Sequence, residues 1–251
     1  PNPDLQPEMS WNVEGGIKQG FKIGGFMGYV DAVVFQQDFE NYVEFTFGQW
    51  GMPPTVNNMF GLGFKSVNTG GARVTGYELE LAGKGELGAV EITTLMGYTN
   101  TLPVSTTPDQ VYARSPNPGS NLPPSTYLNT SFDTTDHILK FRVRQLLRVD
   151  VQAKYKRVSI GGSVRYNSHV RNIDAAFIPL DDPRLLETGI REWMETHRTG
   201  DTVLDARLGF DITPQLRAAF IVNNLLNRAY SMRPLAIEAP RSMQVQLSLN
   251  L

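Results

Sequence analysis

The 251-residue chain contains no cysteine. That excludes a disulfide framework and a thiolate metal site, and it agrees only loosely with an oxidising compartment. No run of the sequence approaches the roughly 18 consecutive apolar residues of a membrane-spanning helix. Charge of either sign is not in excess: 23 Lys plus Arg stand against 25 Asp plus Glu, a formal net charge of −2. There is therefore no global electrostatic case for nucleic acid as a partner. Histidine is limited to His137, His169 and His197, and no H-x-x-x-H, G-x-S-x-G or P-loop pattern occurs. Tight metal sites want three or four convergent ligands. Neither an enzyme active site, a metal centre nor a cofactor is expected.

What is present is alternation. From Leu139 to Tyr155 the odd positions read Leu139, Phe141, Val143, Gln145, Leu147, Val149, Val151, Ala153 and Tyr155. The even positions read Lys140, Arg142, Arg144, Leu146, Arg148, Asp150, Gln152 and Lys154. Successive strand residues point to opposite faces, so this is one oily face and one charged face. Val158–Val170, Leu204–Ile212 and Met243–Leu251 repeat the pattern. The segments exceed the roughly 5–6 residues of a common globular strand and suit a tilted membrane strand of about 9–11. The mean hydropathy of −0.25 does not argue against this, because lipid-facing and lumen-facing residues cancel in an average.

Short turn signals at 19–22, 83–86, 155–157 and 213–215 alternate with long connections at Gly48–Gly63, Thr101–Asp136, Ile173–Asp201 and Ala229–Pro240. Outer-membrane barrels show that asymmetry, with short periplasmic turns and long extracellular loops. The fold expected is all-β: a transmembrane antiparallel barrel wall of about nine strands, forming one domain over 1–251. The strands expected are Ser10–Gln19, Lys22–Phe47, Phe64–Gly83, Leu87–Asn100, Ile138–Tyr155, Val158–Arg171, Thr202–Ile212, Leu216–Leu226 and Arg241–Leu251. One short helix is expected in an extracellular loop, as a lid element. Asp182 would cap it and Pro183 would open it. Leu186, Ile190, Trp193 and Met194 would form its apolar stripe, and Gly200 would stop it.

Three segments carry a resemblance. Asn2-Pro3-Asp4-Leu5-Gln6-Pro7-Glu8 resembles the NPxLKPE segment that opens the last third of TonB-dependent receptors. Asn68-Thr69-Gly70-Gly71-Ala72-Arg73-Val74-Thr75-Gly76-Tyr77-Glu78 resembles their N-x-G-x-A-R-x-x-G-x-E strand. Val222-Asn223-Asn224-Leu225-Leu226-Asn227-Arg228-Ala229-Tyr230 resembles their N-L-F-[ND]-x-x-Y, with Leu226 replacing Phe. The resemblance implies the C-terminal strands of a 22-stranded barrel filled by an N-terminal plug. The plug, the TonB box and the earlier strands would belong to a longer polypeptide, since Pro1-Asn2-Pro3 carries neither an initiator Met nor a signal peptide. Family members usually end on an aromatic, where this chain has Leu251.

The implied function is outer-membrane active transport of a scarce nutrient of the ferric siderophore, cobalamin, glycan or peptide class, energised through TonB. A passive or structural barrel serving as a platform in a larger complex is the alternative. Expected partners are outer-membrane lipid, the chain's own plug and remaining strands, TonB in the periplasm, a possible surface lipoprotein and the nutrient. Lys140, Arg142, Arg144, Arg148 and Arg165 are candidates for a basic lumen wall, which would steer an anionic substrate or pair with acidic groups of the plug and of neighbours such as Glu78, Glu80 and Asp150. Trp50, Phe60, Tyr112 and Trp193 are candidates for ligand contact by the extracellular loops, or alternatively for capping the loops' own small cores or sitting in the interfacial girdle, where amphipathic rings are favoured.

Overall fold

A computed structural model describes residues 2–50, 61–115, 121–184, 187–233 and 236–250. Phe60, Leu186 and Leu251 lie outside the described residues. The strands are β1 (Met9–Ile23), β2 (Phe26–Glu40), β3 (Val43–Gln49), β4 (Leu62–Asn68), β5 (Ala72–Leu87), β6 (Val90–Ser105), β7 (Val111–Ala113) and β8 (Ser125–Thr126). They continue with β9 (Gln145–Tyr155), β10 (Val158–Asn167), β11 (Asp201–Asp211), β12 (Leu216–Asn223) and β13 (Ser242–Leu249). Short helices α1 (Tyr127–Thr130), α2 (Phe177–Leu180) and α3 (Ile190–Thr196) lie in the long connections.

Nine strands form one sheet in the order β1-β2-β5-β6-β9-β10-β11-β12-β13, and every neighbouring pair is antiparallel. This is an open barrel wall. Its two-faced character follows from the register. Lys18, Asp31, Glu80, Gly97, Arg148 and Arg165 lie in one row across six strands. The opposite face is apolar and exposed, as Ile17, Val34, Ile160, Leu208 and the β13 set Met243, Val245, Leu247 and Leu249 show. A soluble protein rarely leaves so continuous an apolar surface uncovered. A barrel wall meets lipid with it.

Several expected boundaries move. The segment Lys22–Phe47 is two strands, because Asn41 at φ 54° turns the chain and β3 leaves the sheet to pair with β4. Phe64–Gly83 divides in the same way at Gly70, whose carbonyl accepts from the Tyr42 amide at 2.7 Å. The hairpin β3–β4 thus rises out of the wall between β2 and β5. Turns expected at 19–22 and 83–86 fall at Gly24-Gly25 and Gly88-Ala89, since β1 runs on to Ile23 and β5 to Leu87. Gly83 is a packing glycine rather than a turn glycine: a Cβ there would collide with the Phe26 ring.

The strand expected over Ile138–Tyr155 begins only at Gln145. Phe141 has φ 56°, and Ile138 and Leu139 are almost wholly buried among loops. Their alternation continues the strand pattern but serves a different core. The expected helix also starts late. Asp182-Pro183 does not open it; α3 begins at Ile190, after Gly189 at φ 67°. The left-handed conformation favours glycine, so Gly189 marks the boundary of the helix. Asp181 does the work expected of Asp182, accepting from the amides of Thr188, Gly189 and Arg191 at 2.8–3.0 Å. These bonds, the Arg191 amide foremost, hold its carboxyl below the ordinary aspartate range. Ile190 and Met194 are buried with Val170, Ile173 and Phe177, against Phe47, Phe141, Val143 and Trp193. The helix thus packs its apolar residues on neighbouring loops, as a stripe that cannot face water must, and forms one wall of a loop core.

Candidate functional site

The concave face carries paired charges. Asp150 accepts two bonds of 2.6 Å from Arg207, a fork-to-carboxylate geometry stronger than a point contact. Asp205 meets Arg165 at 3.5 Å and Ser163 at 3.0 Å. Lys154 reaches Asp211 at 2.7 Å, Lys18 reaches Asp31 at 3.3 Å, and Tyr29 donates to Glu80 at 2.7 Å. The pairing runs between adjacent strands or, for Asp150–Arg207 and Lys154–Asp211, across β10 from β9 to β11, so most cations of the wall are already answered by the wall itself. The row containing Asp31, Glu80, Arg148 and Arg165 borders a cavity of about 520 Å³, which Glu78 and Asp150 also line. The face is therefore mixed in sign rather than uniformly basic.

Of the five candidate wall cations, Arg148 and Arg165 stand on the concave face. Arg144 sits at the rim just before β9, with Nε donating to the Thr101 carbonyl at 3.3 Å. Lys140 and Arg142 are not on the wall, because the chain has left the strand before reaching them. Lys140 is 2% exposed and inside the loops. Its Nζ donates to Asp174 Oδ1 at 2.8 Å and Thr130 Oγ1 at 3.0 Å, and lies 5.0 Å from the centre of the Tyr127 ring. Asp174 Oδ2 in turn accepts from the Phe47 amide at 2.9 Å. Burial pushes the Asp174 carboxyl up more than Lys140 pulls it down. Tyr127 completes the knot, accepting from the Lys140 amide at 2.6 Å and donating to the Ile138 carbonyl at 3.3 Å.

One polar core thus ties together the β3–β4 hairpin, the β6–β9 connection and the β10–β11 connection. Its bearing on function is positional. Three loops rooted at different places along the wall form a single cap. On it opens a cleft of about 400 Å³ lined by Val43, Glu44, Phe45, Phe64, Lys140, Phe141, Arg142 and Arg233. Arg233 comes from the β12–β13 connection, whereas the hairpin stands between β2 and β5. Loops that far apart along a curved wall can share a cleft only by leaning over the concave face. Phe45 and Phe64 stack at 4.9 Å yet remain well exposed. Arg142 donates to Tyr42 Oη at 2.8 Å.

The candidate loop aromatics fall in different places. Trp50 donates from Nε1 to the Gly63 carbonyl at 2.9 Å and borders, with Tyr112, a second cavity of about 360 Å³. Tyr112 Oη and Thr130 Oγ1 are 2.9 Å apart, and burial pushes the phenol up to about 12. Trp193 stacks on His197 at 5.5 Å and packs on the loop core, which is a structural placement. Sequence reasoning missed Glu44, Phe45, Phe64 and Arg233. The exposed pair Phe45 and Phe64 was hidden because both were read as barrel-strand positions.

The family model for the TonB dependent receptor-like β-barrel matches residues 1–225. The chain belongs to the TonB-dependent receptors. Their β-barrels lie in the outer membrane, and so does this wall. Comparison with curated protein sequences gives no match. Among solved structures, the ferric-catecholate import receptor Fiu of E. coli K12 is similar over 99% of this chain and 28% of its own, at 18% identity and TM-score 0.60. The FrpB iron transporter of Neisseria meningitidis is similar over 98% of this chain and 32% of its own, at 16% identity and TM-score 0.54. The copper transporter OprC matches over 98% and 32%, at 11% identity and TM-score 0.60. At these identities the likeness concerns the fold. The chain spans about a third or less of each of these receptors.

Proposed function

We propose that this chain forms wall and outer mouth of a receptor that imports a scarce nutrient across the outer membrane, energised through TonB. The observation that carries the reading is the convergence of loops from both ends of the wall over a charged concave face. A merely structural barrel has no need of a cleft there. Family membership supports a receptor rather than an enzyme. The two sheet edges, at β1 and β13, require further strands, because an unpaired edge in lipid costs several kcal/mol per backbone group. Those strands, a plug inside the lumen and TonB on the periplasmic side are the partners proposed; a surface lipoprotein would meet the cap. The nutrient belongs to the ferric siderophore, cobalamin, glycan or peptide class.

The test is uptake in cells carrying the full-length gene, across radiolabelled or isotopically marked members of those four classes. Uptake of one class is expected to disappear when the gene is deleted and again when TonB is deleted. Uptake that persists without TonB would make the protein a passive pore and overturn the reading.

A further inference from the structure

Glu44 is 7% exposed, and its Oε2 is buried without a hydrogen-bond partner among the described residues. It nonetheless lines the cleft over the concave face. A carboxylate buried without a partner is unfavourable, and the obvious cation does not relieve it, since Lys140 is engaged by Asp174 at 2.8 Å. Two guanidinium groups line the same cleft. Arg142 makes its bond to Tyr42, but a guanidinium carries five donors in a fork, which leaves capacity for a bidentate acceptor. Arg233 is exposed at the cleft margin. Phe45 and Phe64, both well exposed, line the same cleft.

We propose that this cleft is a binding subsite for an anionic group carried on an apolar or aromatic body, held by Arg142 and Arg233 with the Glu44 carboxyl donating a hydrogen bond to it. This rests on the receptor reading and names the chemistry of its ligand. Two arginines supply planar, bidentate recognition of carboxylate, sulfonate or phosphate oxygens. The phenyl faces take the body, and cation and ring together favour a flat one. An anion cannot approach an ionised Glu44 without repulsion, so the bound state holds that carboxyl protonated.

The surroundings set the sign. Tyr42 from the hairpin, Tyr112 and Tyr127 from the β6–β9 connection, Lys140 and Arg142 before β9, Asp174 after β10 and Arg233 after β12 are the titratable or charged groups around it. Burial raises the Glu44 carboxyl to about 7, Asp174 adds to the rise, and Lys140 and Arg142 oppose it. Below that pH the donor is in place. Above it, binding must draw a proton from solvent, and affinity falls by about tenfold per pH unit by linkage.

The experiment is isothermal titration of the full-length receptor in detergent with benzenesulfonate, whose charge is constant across the range, and with benzyl alcohol as its neutral counterpart. Titrations at about pH 6, 7 and 8 in two buffers of different ionisation enthalpy give affinity and proton uptake together. Benzenesulfonate is expected to bind at least about tenfold more tightly than benzyl alcohol, with uptake approaching one proton at the highest pH. Glu44→Gln keeps the donor, so it should bind with affinity independent of pH and with no proton uptake. Arg233→Gln, at an exposed position that leaves folding intact, should lose about tenfold in affinity. Equal binding of the neutral compound, no binding of the anion, or a pH slope surviving in Glu44→Gln would overturn the proposal. TonB-dependent uptake unchanged in Glu44→Gln at every pH would remove the subsite and leave the receptor reading standing; TonB-independent uptake would do the reverse.

Discussion

Replacing Lys140 with Met in the full-length receptor is expected to loosen the loop cap by about 3–5 kcal/mol. The Lys140–Asp174 pair is 1% exposed on both sides. Removing the cation leaves Asp174 charged or forces it to take up a proton in a place that water does not reach. The loss spreads, because Asp174 also receives the Phe47 amide and Lys140 also holds Thr130. All three connections that make the cap meet at this pair, the hairpin through the Phe47 amide. Removing both charges together is a different matter, since a buried ion pair is weak evidence of net stability. Lys140→Met with Asp174→Asn, which removes both charges but keeps an acceptor for the Phe47 amide, should therefore recover most of the loss. Amide exchange of 127–131, 138–141 and 172–174 reads the effect. Single and double variants that exchange alike would show that the pair does not hold the cap.

The second large effect lies in the wall. Val149 sits near the middle of β9, beside Val164 on β10 and Met96 on β6, on the apolar face. Val149→Arg should cost about 2–4 kcal/mol where that position meets the bilayer midplane. Its sequence neighbour Arg148 points to the concave face, so Arg148→Ala should leave the wall's stability nearly unchanged and alter the lumen instead. Heat-modifiability on gels separates the two. Val149→Arg folding as stably as the unmodified protein would reverse the assignment of faces.

Alternation made the wall readable, because a period of two along β9, β10, β11 and β13 requires only local sequence. The same signal failed where it continued past the strand. Leu139 and Phe141 keep the rhythm of Leu147 and Val149, yet they face a core built by loops from elsewhere in the chain, and no local pattern distinguishes the two burials. Lys140 was accordingly placed on the wall, though its partner Asp174 lies 34 residues away. The β3–β4 hairpin was lost for a related reason. Asn41 and Gly70 interrupt long apolar runs without breaking their parity, so each run looked like one strand. Gly83 and Gly85 drew a turn to themselves, while the glycines that turn the chain were Gly24 and Gly88. Glu44 could not have been singled out. A lone carboxylate in an alternating segment reads as lumen-facing, and only the packing of three connections around it makes it unusual.

This stretch has no cysteine of its own, so, once any cysteine elsewhere in the receptor is replaced by serine, site-directed labelling gives a direct test of the two-faced wall. Single cysteines placed in the full-length receptor at Met243, Gln244, Val245, Gln246, Leu247 and Ser248 can each carry a small fluorophore in outer-membrane lipid vesicles. Brominated lipid is then the quencher. Quenching is predicted at positions 243, 245 and 247 and not at 244, 246 and 248, with the second set open instead to a water-soluble quencher. Uniform quenching along β13, or quenching at the even positions, would contradict a wall with lipid on one side and a charged lumen on the other.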